Sequence, residues 1–289
     1  MAVPVHQALL VAVALMLIAR WTAYLRATAK KEGTNLAALA IGAAANFFDT
    51  LGIGTFAPTT AAIKFLRLTD DENIPGTLNV GHALPTVVQA LIFIAVVNVS
   101  VSLLIACIGA AVAGALIGAR VVSRLPARAI RIGMGLALLI AAGVFIARNL
   151  GFLPGGGASL ALEGPAFAAA VGLHFLFGAL MTLGVGLYAP SLIALSLLGM
   201  DPRGAFPIMM GACAFLMPAS SLQFIARGRF DPRLALGFAL GGAPAVLVAA
   251  FIVKELPLDA LRWLVAGVVI LAALMMLAGG GKTAKSDRV

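Results

Sequence analysis

The stretch Leu51–Pro58, LGIGTFAP, returns 132 residues later as Leu183–Pro190, LGVGLYAP. Each copy lies near the middle of a long apolar segment, 35–66 and 165–198. Two glycines and a closing proline interrupt a helix, because glycine frees the backbone and proline lacks an N–H. The pattern therefore predicts a broken helix in each of the two segments.

The repeat extends beyond these two stretches. Pro75 corresponds to Pro207 at the same spacing of 132, and Leu125–Pro126 corresponds to Leu256–Pro257 at a spacing of 131. Chance similarity between apolar sequences does not explain matched spacing on both sides of an eight-residue pattern. We therefore predict a duplicated four-segment unit that follows one extra N-terminal helix.

The composition is that of an integral membrane protein. Of 289 residues, 62% are hydrophobic and 11% are charged, and the mean hydropathy is +1.08. Soluble domains have about 45–50% apolar and about 25% charged residues. These values exclude a soluble domain, a disordered chain and a coiled coil. Apolar segments are expected at 5–25, 35–66, 74–96, 99–119, 128–147, 165–198, 204–226, 233–253 and 259–278.

The distribution of positive charge predicts how the two long segments lie. About 20 residues cross the hydrocarbon layer, so both segments are too long for a single crossing and too short for two. If both are re-entrant hairpins, 16 of the 20 basic residues fall on one side and four on the other. Nine single crossings divide the basic residues almost evenly. Because cytoplasmic loops collect Lys and Arg, we predict the hairpins.

This arrangement turns the second copy upside down, because a hairpin plus three spanning helices crosses the membrane an odd number of times. The expected fold is an all-α integral membrane protein with an inverted repeat, with the N-terminus outside and the C-terminus cytoplasmic. Its parts are the N-terminal helix and loop 1–33, repeat 34–148, linker 149–164, repeat 165–278 and basic tail 279–289.

The two breaks are the strongest candidate site. Unwound backbone at membrane depth is tolerated only where it is buried in protein or lines a wet cavity. Pro58 and Pro190 are placed to start new half-helices, whose N-termini favour anions. The alternative is a pair of kinked helices that pack through glycine. The candidate substrate-binding residues are Gly52, Gly54, Thr55, Pro58, Gly184, Gly186, Tyr188, Pro190, Ser191 and Asn79.

Three ionisable residues are candidates for proton coupling. Asp49 is the one acid in a predicted membrane segment, and such a residue is by default a functional hypothesis. Its counterpart in the second copy is Met181, so the two copies are not chemically equivalent. His82 and His174 also lie in apolar segments and titrate in a suitable range. The alternatives are a structural acid at a helix break and two packed histidines.

The sequence has no nucleotide-binding motif and no metal-ligand spacing, so we expect a secondary transporter without a cofactor. Its expected partners are a small anion, the lipid bilayer and a coupled proton, and a homo-oligomer is compatible with the sequence. The net charge of +9 is explained by the loops and not by nucleic acid. Other hypotheses are a carboxylate carrier, an assembly factor and an intramembrane enzyme that uses Asp49, His82 or His174.

The repeated break resembles that of the sulfite exporter TauE/SafE family of membrane permeases. Gly114–Arg120, GALIGAR, and Arg131–Gly135, RIGMG, on either side of Leu125–Pro126, are also similar to this family. The resemblance covers nearly all of the chain after the first helix. It implies transport in the bacterial inner membrane, often export, of sulfite or organosulfonate anions.

Overall fold

A computed structural model describes residues 5–27, 36–50, 54–96, 99–152 and 157–252, together with 270, 273, 274 and 277. Most of the predicted segment 259–278 and the whole basic tail lie outside the described residues. The helices are α1 Val5–Ala27, α2 Leu36–Thr50, α3 Phe56–Leu66, α4 Ile74–Val96, α5 Val101–Val122, α6 Ala127–Asn149, α7 Gly164–Met181, α8 Tyr188–Leu197, α9 Pro202–Ala226 and α10 Pro232–Ile252.

The predicted all-helical membrane protein is confirmed over the described residues, which form no β-strand. Among them, six helices are long and apolar enough to cross a membrane: α4, α5, α6, α7, α9 and α10. Helices α2, α3 and α8 have 15, 11 and 10 residues. At about 1.5 Å per residue they are too short to cross the hydrocarbon layer, which needs about 20 residues.

Both long apolar segments are interrupted at the repeated motif. The first is divided into α2 and α3, and the second into α7 and α8. Gly54 has a φ angle of +91° and Gly184 has one of +103°. Only glycine adopts such angles at little cost, so each interruption depends on a residue without a Cβ atom.

The two halves of the chain, α2–α6 and α7–α10, pack on each other crosswise. Helix α2 lies against α10, and its counterpart α7 lies against α5. In the same way α4 contacts α10 while α9 contacts α5, and α4 and α9 pack together. If each helix is replaced by its counterpart in the other half, α2 by α7, α4 by α9 and α5 by α10, the same set of contacts results. Each half therefore completes its packing with helices of the other half.

Small residues allow the crosswise helices to approach closely, as is common between membrane helices. A Cβ atom at Gly178 would lie 2.1 Å from the carbonyl oxygen of Ala111. The corresponding contact in the other half pairs Asn46 with Gly242, where a Cβ atom would lie 2.3 Å from Nδ2 of Asn46. These two contacts occupy matching positions, because 178 is 46 plus 132 and 242 is 111 plus 131.

One end of the bundle holds a network of ion pairs. Asp71, in the 3₁₀ turn Asp71–Asn73, pairs with Lys64 near the end of α3 and lies 4.0 Å from Arg131 in the first turns of α6. The neighbouring Glu72 pairs with Arg229 in the α9–α10 loop. Basic residues from three separate regions of the sequence therefore lie at the same end.

The second long segment begins and ends side by side. The backbone N–H of Gly157 donates to the carbonyl of Met200 at 3.0 Å, and the N–H of Asp201 donates to the carbonyl of Ser159 at 2.8 Å. These bonds join the residues before α7 to those after α8. The segment therefore returns to the place from which it started.

Gly178→Ala should destabilise the protein, whereas Gly172→Ala on the same helix should not. The added methyl group at Gly178 would meet the backbone of α5, and such overpacking costs about 1–3 kcal/mol. Gly172 has nothing within 4 Å of its Cβ position. Thermal unfolding of the purified variants in detergent measures the difference. Equal melting temperatures would contradict the close approach of α5 and α7.

Candidate functional site

A cavity of about 600 Å³, including its open mouth, lies between the two helix breaks. Both breaks contribute to its wall, together with the ends of α2 and α7 and one side each of α4, α6 and α9. The lining residues are Asp49, Gly54, Thr55, Phe56, Ala57, Thr86, Ile140, Val144, Met181, Val185, Gly186, Leu187, Tyr188, Ala189, Pro190, Cys213 and Met217.

The N-termini of α3 and α8 both lie at this cavity. In α3 the N–H of Thr59 donates to the carbonyl of Thr55 at 3.1 Å, and in α8 the N–H of Ser191 donates to the carbonyl of Leu187 at 2.9 Å. The N–H groups of the residues before Thr59 and Ser191 in each first turn have no acceptor within the helix itself. Two positive helix ends therefore face one space.

Asp49 connects the two breaks. Its carboxylate, in the last turn of α2, interacts with the backbone of Thr55 and with the side chains of Gln89 and Tyr188. The hydroxyl of Tyr188 donates to Oε1 of Gln89 at 2.6 Å. Because Tyr188 starts α8 and Gln89 lies on α4, these contacts join the second break to the first half of the chain.

Asp49 is the one carboxylic acid among the described residues of the cavity wall. The described lining contains no Lys, Arg or His, and Asp49 forms no ion pair with any described residue. The side chain is nevertheless only 3% exposed. A buried acid without a basic partner is costly, so its charge depends on a proton or on a bound ion.

His82 packs behind the cavity and does not line it. Its Nδ1 lies 2.9 Å from Nδ2 of Asn46, whose amide also donates to the carbonyl of Gly42. The imidazole ring stacks on Phe238 with 5.1 Å between the ring centroids. This contact connects α4 to α10. The Nε2 atom of His82 has no partner among the described residues.

His174 connects the two helices of the second break. Its Nδ1 lies 2.8 Å from the carbonyl oxygen of Ala170, so Nδ1 is the donor. In the neutral ring Nε2 then accepts from the hydroxyl of Ser191 at 2.9 Å. Both side chains are fully buried and neither lines the cavity.

The candidate substrate-binding and coupling residues divide into two groups. The structure brings six of them into the wall of one cavity: Asp49, Gly54, Thr55, Gly186, Tyr188 and Pro190. It places six others outside that wall: Pro58, Asn79, His82, His174, Gly184 and Ser191. Asn79 pairs with Ser220 at 2.9 Å between α4 and α9. Gly52 lies outside the described residues.

Several lining residues carry no sequence signal of their own. Cys213 and Met217 lie in an apolar stretch of α9, in which polarity does not distinguish one face from another. Thr86 lies on the face of α4 that also carries His82 and Gln89, and this spacing of four and three residues could have identified it. Met181 is identified only as the repeat counterpart of Asp49. The crosswise packing of the helices brings these residues to one cavity, and the sequence alone does not show it.

Comparison with known proteins identifies a family for the N-terminal part of the chain. Residues 2–145 match the model of the sulfite exporter TauE/SafE family, a family of membrane transporters. This match includes the first break and Asp49, and it confirms the resemblance inferred from the sequence. The chain matches no curated protein and no solved structure.

Gly54→Ala should destabilise the protein more than Gly186→Ala. The φ angle of Gly54, +91°, costs an L-residue about 1–2 kcal/mol, by analogy with the left-handed helical region. Gly186 has no such angle, and a Cβ atom there would lie 3.8 Å from Cβ of Phe56, an ordinary contact. Thermal unfolding in detergent compares the two variants. A larger decrease in melting temperature for Gly186→Ala than for Gly54→Ala would show that backbone strain at the first break does not determine the loss of stability.

Proposed function

Because residues 2–145 match the sulfite exporter TauE/SafE family, we propose that the chain is a secondary transporter of small anions in a bacterial inner membrane. The observation that carries this proposal is the meeting of two helix N-termini at one cavity. The proposed substrates are sulfite or organosulfonates, and the proposed direction is export. Broken helices that meet at a central site are typical of secondary transporters.

The proposal includes two re-entrant hairpins and an inverted repeat. The backbone bonds between Gly157–Ser159 and Met200–Asp201 support a hairpin in the second half. The ion pairs of Lys64, Arg131 and Arg229 support a single basic end of the bundle, which we assign to the cytoplasm. Repeats 34–148 and 165–278 then lie in opposite orientations, with the N-terminus outside and the C-terminus cytoplasmic.

We assign the anionic group of the substrate to the N-terminus of α8. Asp49 already interacts with the backbone of Thr55 at the start of α3, so that helix end has a carboxylate beside it. At the corresponding position near α8, Met181 carries no charge. Helix dipoles and N–H groups bind an anion without a full counter-charge, which favours release during transport.

Asp49 is the proposed coupling residue. When ionised, its carboxylate would repel a second negative charge in the same small cavity. When protonated, it would admit the anion and donate a hydrogen bond. Anion binding and proton binding at Asp49 are therefore linked. His82 and His174 are then positioning residues that hold α4 and α8 in place.

A carboxylate carrier remains the alternative substrate class, because sulfonate and carboxylate oxygens both accept from backbone N–H groups. An intramembrane enzyme receives less support. The rings of His82 and His174 bond to Asn46 and Ser191 rather than line the cavity with Asp49.

Single cysteines at Arg124 and Arg203, in a background without Cys107 and Cys213, should react with a membrane-impermeant maleimide from opposite sides of the membrane. Both arginines are exposed. The hairpin arrangement places 124 inside and 203 outside, whereas nine single crossings place both on the same side. A third cysteine at Arg67, also exposed, should react from the side of Arg124. Reaction of Arg124→Cys and Arg203→Cys from one side would exclude the hairpins.

Proteoliposomes should transport an alkanesulfonate, whose charge is independent of pH, faster when the loading side is more acidic. Protonation of Asp49 would raise the flux by up to about tenfold per pH unit, the limit for one proton. Asp49→Asn should transport it at a rate independent of pH, because the amide is permanently neutral. The control Glu163→Gln changes an exposed acid before α7 and should behave as the wild type.

The same proteoliposomes separate the substrate classes. A panel of sulfite, sulfoacetate, taurine, sulfate and acetate should show transport of the sulfur-containing anions in preference to acetate. Faster acetate flux would favour the carboxylate carrier. Absence of flux for every anion would contradict the proposed function, and an unchanged pH profile in Asp49→Asn would contradict the coupling role.

A further inference from the structure

Three sulfur-containing side chains lie together in the wall of the cavity. Sγ of Cys213 is 3.6 Å from Sδ of Met181, which ends α7. Met217 lies one helical turn after Cys213 on α9 and lines the same cavity. All three side chains are no more than 3% exposed. Binding of an anion at helix N-termini does not explain why three sulfur-containing side chains line the cavity.

Thiolate and thioether sulfur are soft ligands, and together they select soft metal ions such as Cu(I). Hard cations such as Mg²⁺ and Ca²⁺ prefer oxygen ligands, and a structural Zn²⁺ site requires four N, S or O donors. The described residues contain no group of three or more His, Cys, Asp and Glu side chains that would suit a zinc ion. The set Met181, Cys213 and Met217 instead suits a soft monovalent ion of low coordination number.

The charge of the cavity also favours a cation. Asp49 and Cys213 line the same cavity. Within the described wall no basic side chain opposes an incoming positive charge. A monovalent cation would balance the buried carboxylate that no described basic residue neutralises. The charge of the wall and its sulfur atoms therefore favour the same ligand.

We propose that Met181, Cys213 and Met217 form a binding site for one soft monovalent cation, Cu(I) or Ag(I), with Asp49 as the acceptor of the thiol proton. On binding, the Cys213 thiol gives its proton to the Asp49 carboxylate as the metal–sulfur bond forms. The thiolate then neutralises the metal ion, the carboxylate becomes a neutral carboxyl group, and no electron is transferred. Bound metal and substrate anion would occupy overlapping space. The inference rests on the geometry of the cavity and not on the proposed transport activity.

Cys107 provides a matched control. It is also a free and fully buried cysteine, but it lies on α5 and does not line the cavity. Met210 provides the same control for the methionines, because it is a fully buried residue of α9 outside the wall. Replacing Met by Leu preserves volume and removes the thioether, so the fold should be retained.

Ag(I), which avoids copper redox chemistry, should bind to the purified protein in chloride-free detergent buffer with one ion per chain at high affinity. Native mass spectrometry counts the ions, and calorimetric titration gives the affinity. Cys107→Ser and Met210→Leu should bind as the wild type does. Cys213→Ser should lose the high-affinity ion, and Met217→Leu and Met181→Leu should each weaken binding by about tenfold or more, which is about 1.4 kcal/mol.

Retention of the high-affinity ion in Cys213→Ser, or its loss in Cys107→Ser, would overturn the site. Equal affinity in Met217→Leu, Met181→Leu and Met210→Leu would show that the thioethers are packing residues only. Thermal unfolding of each variant without metal confirms that it is folded. Because no flux is measured, failure here leaves the transport proposal unchanged, and failure of transport leaves this site unchanged.

Discussion

The rest of this structure depends on one constraint: backbone N–H and C=O groups that leave a helix inside the membrane still need hydrogen-bond partners. In the hydrocarbon layer an unpaired N–H has no water to bond with, so a broken helix must be enclosed by protein or opened to a wet cavity. Here two breaks are enclosed together, with the starts of α3 and α8 at a common cavity. Side chains of α4, α6 and α9 complete the wall around this cavity.

The packing is nearly symmetric, but the chemistry of the cavity is not. Asp49 and Met181 occupy equivalent positions at the ends of α2 and α7, and one provides a carboxylate where the other provides a thioether. In the proposed duplication the two copies supply similar scaffolds, and the difference at this pair of positions makes one side of the cavity acidic and the other soft. The histidines are not a matched pair: at the spacing of 132, His82 corresponds to Ala214 and His174 to Gly42.

In the two proposals, the protonation state of Asp49 determines which ion the cavity favours. With Asp49 protonated, the wall is neutral and two helix N-termini favour an anion. With Asp49 ionised, the wall is negative, and nearby sulfur atoms favour a soft cation. The two proposals therefore describe different charge states of one site, and they depend on different atoms: backbone N–H groups for the anion, and side-chain sulfur for the metal.

The sequence by itself determined the membrane class, the resemblance to the TauE/SafE family, the two interruptions and the isolated acid Asp49. These features depend on composition, on local backbone preference and on the spacing of the repeat, all of which are properties of neighbouring residues. Only the tertiary structure decided which side chains share the cavity. The bond from Tyr188 to Gln89 spans 99 residues, and the contact between Cys213 and Met181 spans 32. Where a helix is apolar on every side, its residue types do not show which side is buried in the bundle. Close packing of small residues, such as Gly178 on Ala111, determines that side.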